Sequence, residues 1–445
     1  MPLTREKAVQ QARLLHGFHE AERGRLDKIR RYWKGKQPLP LVIPRSAPRE
    51  VREMARTSKV NVLGIVVESL TQSLFVEGLR LPRQEANLAP WGAWQANRMD
   101  ARQSQVHRPA LAYGTAYNVV TPGDRAPVVR CRSPRNLLAM YGEDPDWPLW
   151  GFERWGNGTF RMYDDEAVYY VGRSERSEFD VFDIREHRMG VTPVVRFVDA
   201  YDDDADDDIE ELADECALGQ VAPLMELQDQ INLCSFGLQI AAHYGAFKQS
   251  YILGWIADTE EKQMKAAASQ LWTFKDHPDD MQIGELSETN LDGYIKSRES
   301  LVRYAATLSQ TPVHELIGEM VNLSAEALAA AEAGRDRKVE ERKTNFGESH
   351  EQTFWLIGQR MGVTIPDNAE VIWRDTSARS FAATVDALGK LAAMLGIPPQ
   401  ELWERVPGAT QQDVERWRTA SQSSDAFRGL ADLLERQAAG AVPTG

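Results

Sequence analysis

The fold is decided by residues 290–362, which read NLDGYIKSRESLVRYAATLS (290–309), QTPVHELIGEMVN (310–322) and LSAEALAAAEAGRDRKVEERKTNFGESHEQTFWLIGQRMG (323–362). They predict a helix to Ser309, a loop containing Pro312, and a second helix that meets no proline before Pro366. Taken as residues 323–361, that helix is about 58 Å long at ~1.5 Å per residue. Its middle, residues 332–345, is polar on all sides, which is typical of a helix that spans between two bodies or packs against copies of itself.

Length and composition indicate a chain with more than one domain. Its 445 residues are enough to form the hydrophobic cores of two or three domains. No segment approaches the ~20 apolar residues of a membrane span, and the N-terminal residues lack the apolar core of a signal peptide. We therefore expect no membrane contact. The three widely spaced cysteines (Cys131, Cys216 and Cys234) indicate a reducing compartment without disulfides.

The net charge of −14 is distributed unevenly. Residues 1–60 carry 15 Lys and Arg against 6 Asp and Glu, whereas residues 199–215 carry 11 Asp and Glu and no Lys or Arg. Each segment alone is typical of a solvated surface. The overall acidity argues against a protein that grips DNA through many phosphates, because such a grip needs clustered Lys and Arg.

The hydrophobic pattern predicts a mainly helical α+β fold. Helices are expected at residues 4–34, 61–75, 91–113, 223–251, 380–395, 402–406 and 413–421. Strands separated by hairpin turns are expected at residues 116–121, 128–132, 149–154, 159–163, 167–171 and 178–186, and further strands at 76–81, 194–198 and 369–373. Between residues 251 and 288 we expect a small insert with a helix at 260–269 and strands at 270–275 and 281–285. Because two helices flank this insert, they are expected to be antiparallel.

No motif for catalysis or metal binding stands out. Lys390 follows Gly389 but lacks the glycine five positions earlier that a phosphate-binding loop requires. His16 and His19 share a helix face without a further ligand nearby, and we interpret them as surface histidines. Residues 202–208 resemble a calcium loop only superficially, because the sixth position is not glycine and the twelfth is Ala213. The sequence therefore predicts no catalytic residue, no metal and no cofactor.

Short motifs in co-linear order, over approximately residues 5–420, resemble one protein family. They are Tyr32-Trp33-Lys34-Gly35, Asn61 with Val66-Val67-Glu68, Val76-Glu77-Gly78-Leu79, Trp94-Gln95-Ala96-Asn97-Arg98-Met99-Asp100, His107, Ala112-Tyr113-Gly114, Ser133-Pro134, Gly190-Val191-Thr192-Pro193-Val194-Val195-Arg196-Phe197, Leu227-Gln228-Asp229-Gln230-Ile231-Asn232, Gln310-Thr311-Pro312 and Asn322-x-Ser324-x-x-Ala327-Leu328. In this order they resemble the portal proteins, the head-to-tail connectors of tailed bacteriophages, especially the siphophage type. The poly-Asp stretch after Phe197 departs from the family pattern, which has a shorter polar loop there.

The resemblance implies a portal fold that assembles as a ring of twelve subunits, and it implies a division of the chain into regions. These are a basic N-terminal helix and extended arm (1–60), a wing (61–220 and 323–385), a stem of two helices (221–248 and 290–309), a clip (249–289), a tunnel loop (310–322), a crown (386–430) and a flexible tail (431–445).

The function that the resemblance implies is a DNA channel at one vertex of the capsid, without enzymatic activity. Double-stranded DNA would enter through the ring during packaging and leave during ejection, without sequence specificity. Further implied partners are other copies of the chain, the major capsid protein, the scaffold, the terminase large subunit and the head–tail adaptor. The implied location is the virion, after assembly in the host bacterial cytoplasm.

Three groups of residues are the candidate functional sites under this interpretation. The tunnel loop would face DNA with few cations, and its mobility is expected from Gly318 and poor burial; an ordinary helix–helix connection is the alternative. The other groups are a subunit seam on the long helix and a clip contact, the latter equally explained as the insert's own core. The residues are Pro312, Val313, His314, Glu315, Glu319 and Asn322 (tunnel loop), Arg335, Arg337, Lys338, Glu340 and Glu341 (seam), and Tyr251, Ile252, Trp255 and Ile256 (clip).

Two other classes of function remain open at this point. The first is an oligomeric scaffold or adaptor without a pore, which would form low-order oligomers around the long helix. The second is a metal-dependent nuclease that uses the acids of residues 206–208. It ranks last, because those acids lie in one run and not as converging pairs on separate elements.

Overall fold

Two units are built from interleaved stretches of the chain. The first comprises Met1–Arg23, Leu70–Leu218 and Asp336–Gly445, and the second comprises Gly24–Ser69 and Gly219–Arg335. The structure is a computed structural model and describes residues 2–81, 89–173, 178–200, 219–245, 250–253, 272–274, 282–285, 291–318, 325–375, 381–406, 408–409 and 411–421.

Helices and strands alternate in blocks along the described chain. The helices are α1 (Arg5–Trp33), α2 (Arg49–Thr57), α3 (Val62–Gln72), α4 (Ala89–Ala96), α5 (Met99–Arg102), α6 (Ser104–Tyr113), α7 (Met225–Gly245), α8 (Asp292–Ser309), α9 (Val313–Ile317), α10 (Ala325–Met361), α11 (Phe381–Leu395), α12 (Pro399–Leu402) and α13 (411–421). The strands are β1 (Val76–Arg80), β2 (Thr115–Thr121), β3 (Val128–Arg132), β4 (Leu137–Met140), β5 (Trp150–Gly156), β6 (Thr159–Tyr163), β7 (Ala167–Arg173), β8 (Phe179–Glu186), β9 (Val194–Val198), β10 (Ser250–Leu253), β11 (Trp272–Phe274), β12 (Gln282–Glu285) and β13 (Glu370–Trp373).

A five-stranded antiparallel sheet with the order β4-β5-β6-β7-β8 is the largest sheet of the first unit. The N-terminal part of α1 packs on one face of it through Ala8, Ala12 and Leu15, which recur at three- or four-residue steps. Small alanines let the helix backbone come close to aromatic side chains of the sheet such as Phe152. The hairpin pattern predicted this sheet except for β4, whose four residues are too few to show an alternation.

Two smaller sheets complete the strands of the first unit. In the first, β2 lies between β3 and β9 in an antiparallel arrangement, and all seven residues of β2 are buried. In the second, β1 pairs with β13. The outer edge of β1 is occupied by a side chain, because Leu79 N–H donates to Gln411 Oε1 at 3.0 Å and Gln411 Nε2 donates to the Leu79 carbonyl at 3.1 Å.

A histidine pair lies in the aromatic core of the first unit. His107 of α6 and His350 of α10 are fully buried, and their Nε2 atoms are 2.8 Å apart, so one ring donates to the other. The rings of Trp94, Phe197 and Phe346 surround the pair. Burial lowers the pKa of His107 to about 3 and the pKa of His350 well below its ordinary value. Both rings are therefore neutral at neutral pH.

The second unit is organised around α7 and α8. Ile231 of α7 packs with Val302 and Ala305 of α8, while Gly237 of α7 lies against the ring of Tyr294, nearer the start of α8. Residue numbers therefore increase along α7 while those of the contacting residues decrease along α8. The two helices are antiparallel, as predicted.

The structure corrects four details of the predicted elements. The helix predicted at 223–251 ends at Gly245, and Ser250–Leu253 is a strand. The tunnel loop contains the short helix α9, and so its middle is not an irregular connection. The long helix is not polar on all sides at residues 332–345, because Lys338, Val339 and Arg342 are buried. His16 and His19 are also buried, at 8% and 5% exposure, and are not surface histidines.

The described part of the insert is a three-stranded sheet. β10 is the central strand, parallel to β11 and antiparallel to β12. The two strands predicted at 270–275 and 281–285 are confirmed as the shorter β11 and β12. The helix predicted at 260–269 and the acidic run lie outside the described residues. Within the part of the chain that the structure describes, no helix combines the length and hydrophobicity needed to cross a membrane.

Candidate functional site

The described part of the tunnel loop is a tight turn followed by one short helix. α8 ends at Gln310, which takes a left-handed backbone conformation with φ 55°. Pro312 is the N-cap of α9, consistent with the fixed φ that proline brings to a helix start. Gly318 ends α9 with φ 77°, and its N–H donates to the His314 carbonyl at 2.9 Å. A left-handed residue at this position is a common way for a helix to end.

Apolar contacts hold α9 against the helix pair of the second unit. Leu316 and Ile317 pack on the cluster that contains Ile231 and Val302. In contrast, Val313 is 40% exposed, and no residue of α9 is fully buried. Poor burial was predicted for this loop, and the structure adds that one side of α9 is nevertheless in contact with α7 and α8.

Four ionisable side chains connect α9 to the start of α10. Arg335 forms an ion pair with Glu315, and its second terminal nitrogen lies 3.5 Å from Glu332. His314 Nε2 lies 3.9 Å from Glu332. The four side chains are 13–22% exposed, so solvent weakens these pairs only in part. We call Glu315, Glu332, Arg335 and His314 the loop ion cluster.

The electrostatic consequence is that the loop ion cluster offers little positive charge. Its single permanent cation, Arg335, faces two carboxylates. Phosphate binding by a protein depends on Lys and Arg that neutralise phosphate charge. A cation already paired with carboxylates contributes less to such binding, and therefore this part of the loop is poorly suited to hold a nucleic-acid backbone.

The seam residues divide into buried and exposed side chains. Lys338 is 9% exposed, and burial lowers its pKa to about 8, against the opposing effect of Asp199. On the next turn, Arg342 donates to the fully buried carboxylate of Asp199 at 2.8 Å. Arg337, Glu340 and Glu341 are exposed. Of the five predicted seam residues, these three are exposed. Lys338 is buried, and Arg335 belongs to the loop ion cluster.

The remaining predicted site residues are only partly covered by the structure. Tyr251 and Ile252 lie in β10, at the centre of the three-stranded sheet. Trp255, Ile256, Glu319 and Asn322 lie outside the described residues. Among the described residues, no group of three or more His, Cys, Asp or Glu is arranged to hold a metal ion.

The sequence placed Glu332 among the mixed charges of the proposed seam and did not connect it with the loop, although part of the signal was available. Glu332 and Arg335 are three positions apart on a helix, a spacing at which side chains meet. That spacing identifies a pair on one helix, but it cannot show that the pair also contacts Glu315 across the loop. Only the fold of α9 against α10 brings the three together.

Comparison with known proteins identifies the family of the chain. The family model described as "Phage portal protein, SPP1 Gp6-like" matches residues 14–426. The chain belongs to this family. The mainly helical α+β fold and the resemblance found in the sequence are both confirmed.

Two portal proteins of mycobacteriophages are similar to the chain along most of its length. The portal protein of Mycobacterium phage D29 is 24% identical over 386 residues, which cover 79% of this chain and 77% of that protein. The portal protein of Mycobacterium phage L5 is 23% identical over 433 residues, covering 89% and 84%.

Solved structures also resemble the chain. One comes from the structure called "Virion of native gene transfer agent (GTA) particle", with a TM-score of 0.48, 14% identity, and coverage of 80% of this chain and 96% of that chain. Another comes from "Neck of native GTA particle computed with C12 symmetry", with a TM-score of 0.46, 12% identity, and coverage of 81% and 92%.

One motif of the portal resemblance has a visible structural role in the second unit. The Gln228 side chain accepts from Val62 N–H at 3.1 Å and donates to the Val60 carbonyl at 2.6 Å. Asn232, one turn later, accepts from Val60 N–H at 3.0 Å. Two side chains of α7 thus satisfy backbone groups at the start of α3, where a helix leaves its first N–H groups unpaired.

Proposed function

We propose that this chain is the portal subunit of a tailed phage and forms a ring, expected to contain twelve copies, at one capsid vertex. The family match over residues 14–426 carries the proposal. Two relatives named portal protein, each matched over more than three quarters of its length, support it. The ring would conduct double-stranded DNA during packaging and ejection.

The proposed partners follow from this position in the particle. The ring would contact the major capsid protein and the scaffold, and it would dock the terminase large subunit and the head–tail adaptor. The chain would act as a structural protein of the virion, without catalysis of its own and without a cofactor, after assembly in the host bacterial cytoplasm.

The proposed regions correspond to the elements as follows. α7 and α8 form the stem, the sheet of β10, β11 and β12 belongs to the clip, and residues 310–322 form the tunnel loop. The sheets of the first unit and α10 belong to the wing, and α11 begins in the wing and continues into the crown, which includes α12 and α13. Clip contacts through Tyr251, Ile252, Trp255 and Ile256 are part of the proposal.

The electrostatics of the loop ion cluster support a channel through which DNA slides. Strong attachment to phosphates would slow translocation, and Arg335 is occupied by Glu315 and Glu332. An acidic wall would keep the duplex away from the protein surface. We propose that Pro312, Val313, His314, Glu315, Glu319 and Asn322 line this channel.

The direct test is negative-stain electron microscopy of the purified full-length chain. We expect rings with a central hole wide enough for a DNA duplex. The number of subunits can vary when a ring protein is overproduced, so a ring of thirteen copies also supports the proposal. A monomer at every concentration, or low-order oligomers without a hole, would contradict it and favour the scaffold alternative.

A further inference from the structure

One face of the five-stranded sheet carries an alternation of arginine and aromatic side chains. α1 covers the opposite face. On this face, Arg161 of β6 lies 3.2 Å above the ring of Trp155 and 5.2 Å from the ring of Tyr170. Arg185 of β8 continues the series at 4.9 Å from Tyr170. Arg130 and Arg132 of β3 also lie near the ring of Trp155, at 5.1 and 6.0 Å. We call these six residues the arginine–aromatic face.

Part of this face is open to solvent in the first unit. The side chain of Trp155 is 48% exposed, and Phe182, beside Tyr170, is 55% exposed. A large aromatic residue exposed on a sheet is a feature of surfaces that bind partners.

Carboxylates of the first unit neutralise only some of the arginines on this face. The buried carboxylate of Glu153 is paired with Arg132 and lies 4.0 Å from Arg130. Asp183 is paired with Arg185 at 2.7 Å. Arg161, at the centre, contacts the two aromatic rings, and its buried Nε has no hydrogen-bond acceptor. Arg132 and Arg185 each have a carboxylate partner in this unit, whereas Arg161 forms no ion pair among the described residues, and an acidic ligand would supply one.

The geometry favours carboxylates over nucleic-acid bases as the ligand. A base would stack on an aromatic ring, but Arg161 lies over the ring of Trp155. Arg161 and Arg185 supply guanidinium groups, which match carboxylates in shape as well as charge. Arg161 and Arg185 lie two strands apart, or about 10 Å. Acidic side chains at alternate positions of an extended peptide are ~7 Å apart and can reach both arginines.

The net negative charge of the chain also favours a short acidic peptide over a long polyanion as the ligand. A DNA duplex extends beyond the face and would meet the net negative charge of the chain. A short acidic segment samples only its surroundings within a screening length of about 8 Å at physiological salt. We propose that the arginine–aromatic face binds an acidic polypeptide segment of a partner protein.

The test measures binding of a fluorescein-labelled ten-residue peptide of alternating Glu and Ser to the full-length protein, by fluorescence anisotropy at low salt. We expect saturable binding that weakens with added NaCl, and no binding of the same peptide with Gln for Glu. Arg161→Met removes the central guanidinium and should weaken binding about tenfold or more. Arg188→Met is the matched control, because Arg188 is 85% exposed in the same unit and lies outside the face.

A second variant keeps the test decisive if Arg161→Met disturbs folding. Arg161→Lys retains the charge but loses the planar fork, and it should bind the peptide several-fold more weakly than the unmodified protein. Equal binding by the unmodified protein and both Arg161 variants would overturn the proposal. Tighter binding of a thirty-base-pair DNA duplex than of the peptide, with the same dependence on Arg161, would also overturn it and assign the face to nucleic acid.

Discussion

Two polar clusters on the long helix α10 are built in opposite ways. In the first unit, His350 and Arg342 point into the core, where they meet His107 and the buried Asp199. In the second unit, Glu332 and Arg335 meet His314 and Glu315 of the loop at a partly exposed site. The first cluster is expensive to break, because its members have no water to replace a lost partner. The second can open at small cost, which fits the mobility that we propose for the tunnel loop.

The largest expected effect comes from breaking the buried ion pair. Arg342→Met leaves the carboxylate of Asp199 buried and without its closest cation. We expect the free energy of unfolding to fall by about 3–5 kcal/mol, because removing one partner of a buried ion pair is strongly destabilising. Thermal unfolding followed by circular dichroism measures the change. Arg337→Met on the exposed side of α10 is the control and should stay within about 0.5 kcal/mol; an equal effect of both variants would contradict the assignment.

The histidine pair should make the first unit sensitive to acid. An unfolded histidine binds a proton below pH ~6.5, whereas burial keeps His107 and His350 neutral far below that pH. The unfolded state therefore takes up more protons, and stability that is complete above pH 6.5 is lost as the pH falls toward 3. We expect His107 to contribute a loss of about 1.4 kcal/mol per pH unit between pH ~5.5 and pH ~4, and His350 to add to this loss.

The variant His350→Gln distinguishes the contribution of this pair to the pH dependence of stability from that of the other buried histidines. His16, His19 and His187 also have lowered pKa values because of burial, and they add to the pH dependence. Thermal midpoints at several pH values should fall less steeply for His350→Gln than for the unmodified chain. An unchanged slope would show that the pair does not cause the acid sensitivity.

Breaking the loop ion cluster should have a smaller and local effect. Arg335→Met removes the pairs with Glu315 and Glu332, and we expect a loss of about 1 kcal/mol or less, because the site is partly exposed. Hydrogen exchange of the Gly318 amide, which is bonded to the His314 carbonyl, should become about fivefold faster. High salt should produce a similar change in the unmodified chain. Exchange that is indifferent to both would mean that apolar packing alone holds α9.

The smallest effect per subunit is expected at the proposed seam. Charge reversal at Lys338 would disturb folding as well as assembly, because Lys338 is buried. It therefore cannot test the seam by itself. Arg337→Glu is the cleaner variant, since Arg337 is exposed beside Glu340 and Glu341. A single surface pair contributes about 0.2–1 kcal/mol, and repetition around a ring would add to it. Mass photometry should show fewer complete rings at low protein concentration; full assembly at every concentration would refute the seam.

The sequence allowed the long elements to be predicted, because each has a regular pattern of its own. α1 and α10 are long enough for helical periodicity, and turns such as Gly156-Asn157-Gly158 separate the strands of the large sheet. β4 could not be predicted from its four residues, because it becomes a strand through pairing with β5. The end of α7 at Gly245 could not be predicted either. The apolar pattern of the predicted helix continues into the residues that form β10.

Burial of polar residues was the main information that the sequence lacked. His16 and His19 look like surface residues on a basic helix, but His19 pairs with the Pro134 carbonyl and His16 lies among Phe152 and Phe160. Lys338 looks like one charge among many on α10 and is nevertheless buried near Asp199. Such placements depend on contacts between distant parts of the chain. Periodicity within one helix does not specify them.

The side chain of Gln411 has a consequence for production and assembly of the protein. An open strand edge invites another chain to pair with it, which leads to aggregation. Gln411 covers the outer edge of β1 at Leu79 with one accepted and one donated hydrogen bond, as a neighbouring strand would. A side chain at Gly78 would collide with the Gln411 amide, at 2.8 Å from its oxygen. In the proposed ring, this cover would keep one strand edge from pairing with other copies out of order.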